Sequence, residues 1–197
     1  MIPGAGLISV DEDEYVKRER KFNTAGPSIA GDHYMIDPLQ RLDLPEVEML
    51  IDDKRYFVLH APRQTGKTTC LFALMARLNA QSRYISLYAN IETAQTARGD
   101  VGAGISEVVE AIVRSAGVYL KDERLAVWAQ EEKRKGQPHG ALTGVLARWS
   151  QASDKPIVLL LDEVDALVGD TLISLLRQIR AGYGQRPQAF PQSVILC

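Results

Sequence analysis

The chain has 197 residues, 46% of them hydrophobic and 24% charged, with a formal net charge of −2. That is enough apolar material for one substantial core, and the near-neutral balance argues against a general basic surface for nucleic acid while leaving local basic patches open. The two cysteines, Cys70 and Cys197, show no metal spacing, so neither a disulfide framework nor a zinc site is indicated.

The first thirty-odd residues differ in composition from the rest. Asp11-Glu12-Asp13-Glu14 precedes Lys17-Arg18-Glu19-Arg20-Lys21, and Pro3, Gly4, Gly6, Gly26, Pro27 and Gly31 punctuate the stretch. Residues 1–33 read as a flexible or loosely docked arm, with the basic run either solvated or touching a partner. Met1 to Val10 lacks a charged leader and a long apolar core, and no apolar stretch approaches the ~20 residues of a membrane span. The expected location is the cytoplasm, with no membrane partner.

A domain is expected over residues 34–197. His33 to Leu39 leads into a short helix with Pro45 at its start and Val47, Leu50 and Ile51 at helical spacing. Arg55-Tyr56-Phe57-Val58-Leu59-His60 is a strand signal, and Cys70 to Leu78 is a helix signal. Between them stands Ala61-Pro62-Arg63-Gln64-Thr65-Gly66-Lys67-Thr68-Thr69, a phosphate-binding loop with alanine where the usual pattern begins with glycine. Loop amides and the helix N-terminus supply fixed positive potential to phosphates. Gly66 lets the backbone approach, the Lys67 ammonium reaches the β- and γ-phosphates, and the Thr68 hydroxyl can ligate Mg²⁺.

Arg83 to Tyr88 reads as a second strand, with Asn90-Ile91-Glu92 directed to the same crevice. Apolar stripes follow on three helices: Ile105, Val108, Val109, Ile112, Val113 and Ala116; then Leu125 and Trp128; then Leu142, Val145, Leu146 and Trp149. A turn cluster, Gly136-Gln137-Pro138-His139-Gly140, separates the last two. The stripes are core faces, and the tryptophans are packing residues. His33, His60 and His139 have no spacing for a metal or a triad, and His60 is expected to pack at a strand end.

Ile157-Val158-Leu159-Leu160-Leu161 is a continuous apolar run, as for a strand covered on both faces, and it ends in Asp162-Glu163. A parallel strand delivers its C-terminal residues to the ligand crevice. Asp162 would hold Mg²⁺ through water, and Glu163 would polarise the attacking water as general base. Alone, the pair would read as a solvated acidic turn; the upstream loop changes that. Leu172, Leu175, Leu176 and Ile179 stripe a further helix. Arg177 and Arg180 lie three apart on it, as a solvated face or as a contact for a neighbouring subunit or the γ-phosphate. Ser193 to Cys197 is the fourth strand.

The loop Arg63-Gln64-Thr65-Gly66-Lys67-Thr68-Thr69 together with Leu161-Asp162-Glu163-Val164-Asp165 resembles an AAA-type P-loop ATPase. More narrowly, it is similar to bacterial and archaeal AAA-like ATPases whose loop reads xPRQxGKT(S/T), a group in which alanine at the first loop position is familiar. Phe22-Asn23-Thr24-Ala25-Gly26-Pro27 also resembles the lead-in of some of them. The resemblance implies ATP and Mg²⁺ as ligands. It implies an α/β three-layer αβα P-loop NTPase fold, mostly parallel, with strand order 5-1-4-3-2. By resemblance, Tyr34 to Pro38, with Tyr34 and Ile36 foremost, lies against the adenine ring; ordinary packing of an entry segment fits that stretch equally well.

Measured against that family pattern, strand five, the arginine finger region and the helical lid are missing after strand four. The expectation is therefore a truncated domain that is hydrolytically impaired, with an open strand-one edge that invites self-association. In a longer protein, ATP hydrolysis would drive a conformational switch acting on a protein or DNA partner. The alternative is a nucleotide-dependent signalling or scaffold module with negligible turnover. No Asn-Lys-x-Asp base reader, Leu-Ser-Gly-Gly signature or Gly-x-Ser-x-Gly elbow is present, which sets aside GTPases, ABC-type ATPases and serine hydrolases of that kind.

Overall fold

The structure is a computed structural model and describes residues 19–197, apart from 25, 30, 61, 63, 64 and 137–139. The acidic run, Lys17 and Arg18 lie outside the described residues, as does the centre of the expected turn at 137–139. Backbone contacts divide the chain into two units, with the boundary between Met35 and Ile36. Within the first, Lys21 bridges His33, the Ile29 amide donates to His33 Nδ1 at 2.9 Å, and the rings of Phe22 and Tyr34 meet at 5.2 Å.

In the second unit, four strands form one sheet: β1 (Tyr56–Val58), β2 (Ile85–Asn90), β3 (Ile157–Asp162) and β4 (Ser193–Leu196). Their order is β1-β4-β3-β2 and every pairing is parallel. This is the expected 1-4-3-2 order of a P-loop NTPase sheet, entirely parallel where a mostly parallel one was expected. β1 is shorter than the sequence signal over 55–60. Among the described residues it pairs only with β4, although the Leu59 amide still donates to Leu196 O at 2.8 Å.

Parallel strands need crossovers, and here helices supply them on both faces. One face carries α1 (Leu44–Asp52) and α2 (Lys67–Ala80). Val47 and Ile51 of α1 and Leu71, Leu74, Met75 and Leu78 of α2 pack on Tyr84, Tyr88, Val158, Leu160 and Ile195. Asp43 caps α1 by accepting from the Glu46 amide at 3.1 Å, and Pro45 stands in its first turn, where a missing N–H costs nothing. The end of α2 is pinned to β2 by Asn79, whose side-chain amide exchanges two hydrogen bonds with the Ser86 backbone at 2.8 and 2.9 Å.

The other face carries α3 (Val101–Ser115), α4 (Arg124–Arg134), α5 (Ala141–Ala152) and α6 (Gly169–Ala181). Their stripes, with Trp149 fully buried among them, pack on Leu87, Ala89, Leu159, Leu161 and Val194. Alternate residues of β2, β3 and β4 thus feed opposite cores, as a two-residue side-chain period requires. The guanidinium groups of Arg124 and Arg148 stand over the Trp128 ring, at 5.7 and 5.5 Å, which is packing as expected. Two details correct the sequence reading: Leu176 is 41% exposed instead of joining the α6 stripe, and His60 is exposed instead of packed.

Candidate functional site

The C-terminal ends of β1, β3 and β4 and the start of α2 converge. After β1 the chain enters the glycine-containing loop; Ala61, Arg63 and Gln64 lie outside the described residues. The Thr65 hydroxyl donates to Pro62 O at 2.7 Å, closing a turn. Gly66 follows at φ 83°, ψ 27°, immediately before the first helical residue, Lys67. That left-handed conformation suits a residue without Cβ, and a Cβ there would stand 3.3 Å from an Arg41 guanidinium nitrogen. The first-turn amides of α2 have no intrahelical partners and form a natural anion-facing end.

Arg41 was not anticipated. It ends a short 3₁₀ turn, Pro38–Arg41, that Asp37 caps by accepting from the Leu39 amide at 3.0 Å. Its guanidinium donates to Thr65 O, which ties this turn to the loop. A second tie runs from the Cys70 thiol to Pro38 O at 3.2 Å; burial pushes that thiol's pKa up. The sequence offers no signal for Arg41, because the contact spans a long separation and depends on how the turn folds back.

β3 is buried along its whole length and presents Asp162, itself 1% exposed, at its end. Asp162 Oδ2 accepts from the Thr68 hydroxyl at 2.7 Å and from the Tyr88 hydroxyl at 3.0 Å, while Oδ1 accepts from the Glu163 amide at 3.1 Å. Glu163 sits at φ 61°, ψ 38°, a left-handed conformation that is uncommon outside glycine. Burial first, then the negative charges of Asp162, Asp165 and Glu92, raise its carboxyl pKa, and the Lys67 ammonium opposes them. A carboxyl whose pKa is raised is a better base than an ordinary glutamate.

Lys67, Thr68, Asp162 and Glu163 are therefore brought together, as are Asn90 and Glu92 at the end of β2, where Asn90 stands in register with Asp162. Cys197 joins them. Its amide donates to Leu161 O and its carbonyl accepts from Val164, both at 2.9 Å, and burial and the Asp162 charge push its thiol up to about 12. A close reading of β4 could have placed Cys197 here, since a parallel strand ends at the crevice. Tyr34 and Ile36 are not brought into one unit: they fall on either side of the boundary, 56% and 67% exposed. Arg177 and Arg180 are exposed on α6, and Arg177 lines an open cleft of about 470 Å³ with Val101, Thr143, Asp170 and Ser174.

The donor set fits a magnesium ion: a buried carboxylate and an alcohol oxygen 2.7 Å apart are the hard oxygen ligands Mg²⁺ prefers. Among the described residues, no helix is long and apolar enough to cross a membrane. No curated protein matches the chain. The family model described as an AAA domain matches residues 49–196, which spans every strand and both halves of the site.

Proposed function

Because the chain belongs to the AAA domain family, a nucleotide-binding class of P-loop ATPases, we propose that this site binds ATP·Mg²⁺ and hydrolyses the γ-phosphoryl bond to drive a conformational switch. The observation that carries the reading is the 2.7 Å contact between the Thr68 hydroxyl and Asp162, residues from the two separate motifs of the sequence. Bound Mg²⁺ would neutralise charge developing on the phosphate oxygens.

The chain's own residues do the rest. The described loop backbone, Pro62, Thr65 and Gly66, with Thr69 in the first turn of α2, surrounds the phosphates; Ala61, Arg63 and Gln64 complete the motif. Lys67, the first residue of α2, would bind the β- and γ-phosphates. Thr68 and, through water, Asp162 would hold the metal. Glu163 takes a proton from the attacking water, which its raised pKa favours. Ile36, two residues before the 3₁₀ turn that Arg41 ties to the loop and Cys70 to α2, is the candidate contact for the base.

Isothermal titration with Mg²⁺-ATP tests the assignment. Lys67→Ala removes the motif's charged phosphate ligand and is expected to abolish most binding. Equal affinity in wild type and variant overturns the reading.

A further inference from the structure

Tyr88 was read from the sequence only as a residue of the second strand. In the fold it is 5% exposed, and its hydroxyl points at the carboxylate that the metal would need. We propose that Tyr88 is a positioning residue: its hydroxyl, bonded to Asp162 Oδ2, holds that carboxylate in the orientation that serves Mg²⁺. The proposal rests on the ATP·Mg²⁺ reading and deepens it.

Two aromatic neighbours pack against the ring. Phe72 of α2 packs on it with ring centroids 4.3 Å apart, and Tyr119 approaches edge-on at 6.4 Å. The Tyr88 backbone amide donates to Met75 Sδ at 3.3 Å, and β2 is paired residue for residue with β3, with Tyr88 opposite Leu160. The ring is a rigid apolar body in a packed core; the hydroxyl is its one polar atom, and the carboxylate is its acceptor.

Asp162 is consequently gripped from three directions: by Thr68 from α2, by Tyr88 from β2 and by the amide of Glu163. Of these side-chain donors, Thr68 is itself a metal ligand in the proposed site. Once its oxygen faces a cation, its grip on the carboxylate depends on where the cation sits. Tyr88 has no such second duty. It fixes Oδ2 whether or not the metal is bound, which spares the site the cost of ordering the carboxylate on metal entry. Groups that orient a metal ligand in this way commonly change metal affinity or activity by 10–100-fold when removed.

Tyr88→Phe deletes the hydroxyl and keeps the ring. The quantity to measure is metal enhancement: the Kd of a fluorescent ATP analogue in EDTA divided by its Kd in excess Mg²⁺. In Tyr88→Phe this ratio is expected to fall about tenfold, with the Kd in EDTA and the melting temperature nearly unchanged. A ratio equal to wild type overturns the proposal, and so does an equal loss of affinity with and without metal, since that is what a merely structural tyrosine would give. The Asp162→Asn background supplies a second check. If Tyr88 acts through Asp162, adding Tyr88→Phe there leaves the ratio where Asp162→Asn alone puts it; a further drop shows a different route and overturns the assignment. Absence of nucleotide binding by the wild-type chain removes the ATP reading itself, and the proposal with it, and is plainly distinct from a normal wild type whose ratio Tyr88→Phe leaves intact.

Discussion

The backbone amide of Glu163 donates to the carboxylate of its neighbour, Asp162 Oδ1, at 3.1 Å, and it does so with Glu163 held at φ 61°. A glutamate in the left-handed region stores strain, commonly of order 1–3 kcal/mol, and such residues cluster at functional sites. The same turn puts a second carboxyl beside a buried one, so function and stability pull in opposite directions here.

Glu163→Gln is the first consequence. It is expected to retain ATP binding and to lose most turnover in a phosphate-release assay, because the proton acceptor is gone. Its effect on stability has a definite sign. A carboxyl whose pKa is raised in the folded state is destabilising once ionised. The penalty builds as pH rises from the ordinary carboxylate range, roughly pH 4, and is complete above the folded-state value. The glutamine variant should therefore melt higher than wild type at neutral pH, with the difference closing as pH falls toward that range. Undiminished turnover would remove Glu163 from the base role.

Gly104 offers a test of the packing between α3 and α6. An alanine in a helix interior is ordinarily stabilising by roughly 1 kcal/mol relative to glycine. At Gly104, however, a Cβ would stand 2.4 Å from Thr171 Cγ2, and Thr171 is buried with its hydroxyl donating to Arg98 O at 3.2 Å. Gly104→Ala is expected to destabilise by about 1–3 kcal/mol through overpacking. Adding Thr171→Ser removes the clashing methyl and keeps the hydroxyl, so it should restore part of the loss. Urea denaturation of the single and double variants measures both; a stabilised Gly104→Ala would show that the interface is looser than described.

Asp122 sets part of the acid limit of stability. Arg124 grips its carboxylate with two guanidinium nitrogens, at 2.8 and 2.7 Å, and with its backbone amide at 3.1 Å. The guanidinium bonds come first in holding the Asp122 pKa below its usual value, with burial opposing. A depressed carboxylate stabilises the fold above the unfolded-state pKa, about 4, and loses that contribution as pH falls through the lower folded value. Asp122→Asn should thus be less stable than wild type at neutral pH, and the gap should close below about pH 4. Urea midpoints taken across that range check it; a constant gap would mean that the charge is not what matters.

Much of the site was legible in local sequence because its chemistry is local. A loop between a strand and a helix needs Gly66, Lys67 and Thr68 at fixed spacing, and a strand buried on both faces must be continuously apolar before it can present Asp162 and Glu163. Helix faces such as Ile105, Val108 and Ile112 repeat with the helical period and could be read for the same reason. What the tertiary structure decided are contacts between elements whose partners lie far apart along the chain. Tyr88 looks like any strand tyrosine until β2 is laid in register beside β3 and its hydroxyl meets Asp162. Arg41 reaches Thr65 only because a capped turn folds back on the loop. Cys197 enters the electrostatics of the site because β4 is inserted between β1 and β3. Periodicity reports which face of an element is apolar. It is silent about which element that face will meet, because pairing order and register are set by the fit of the whole core.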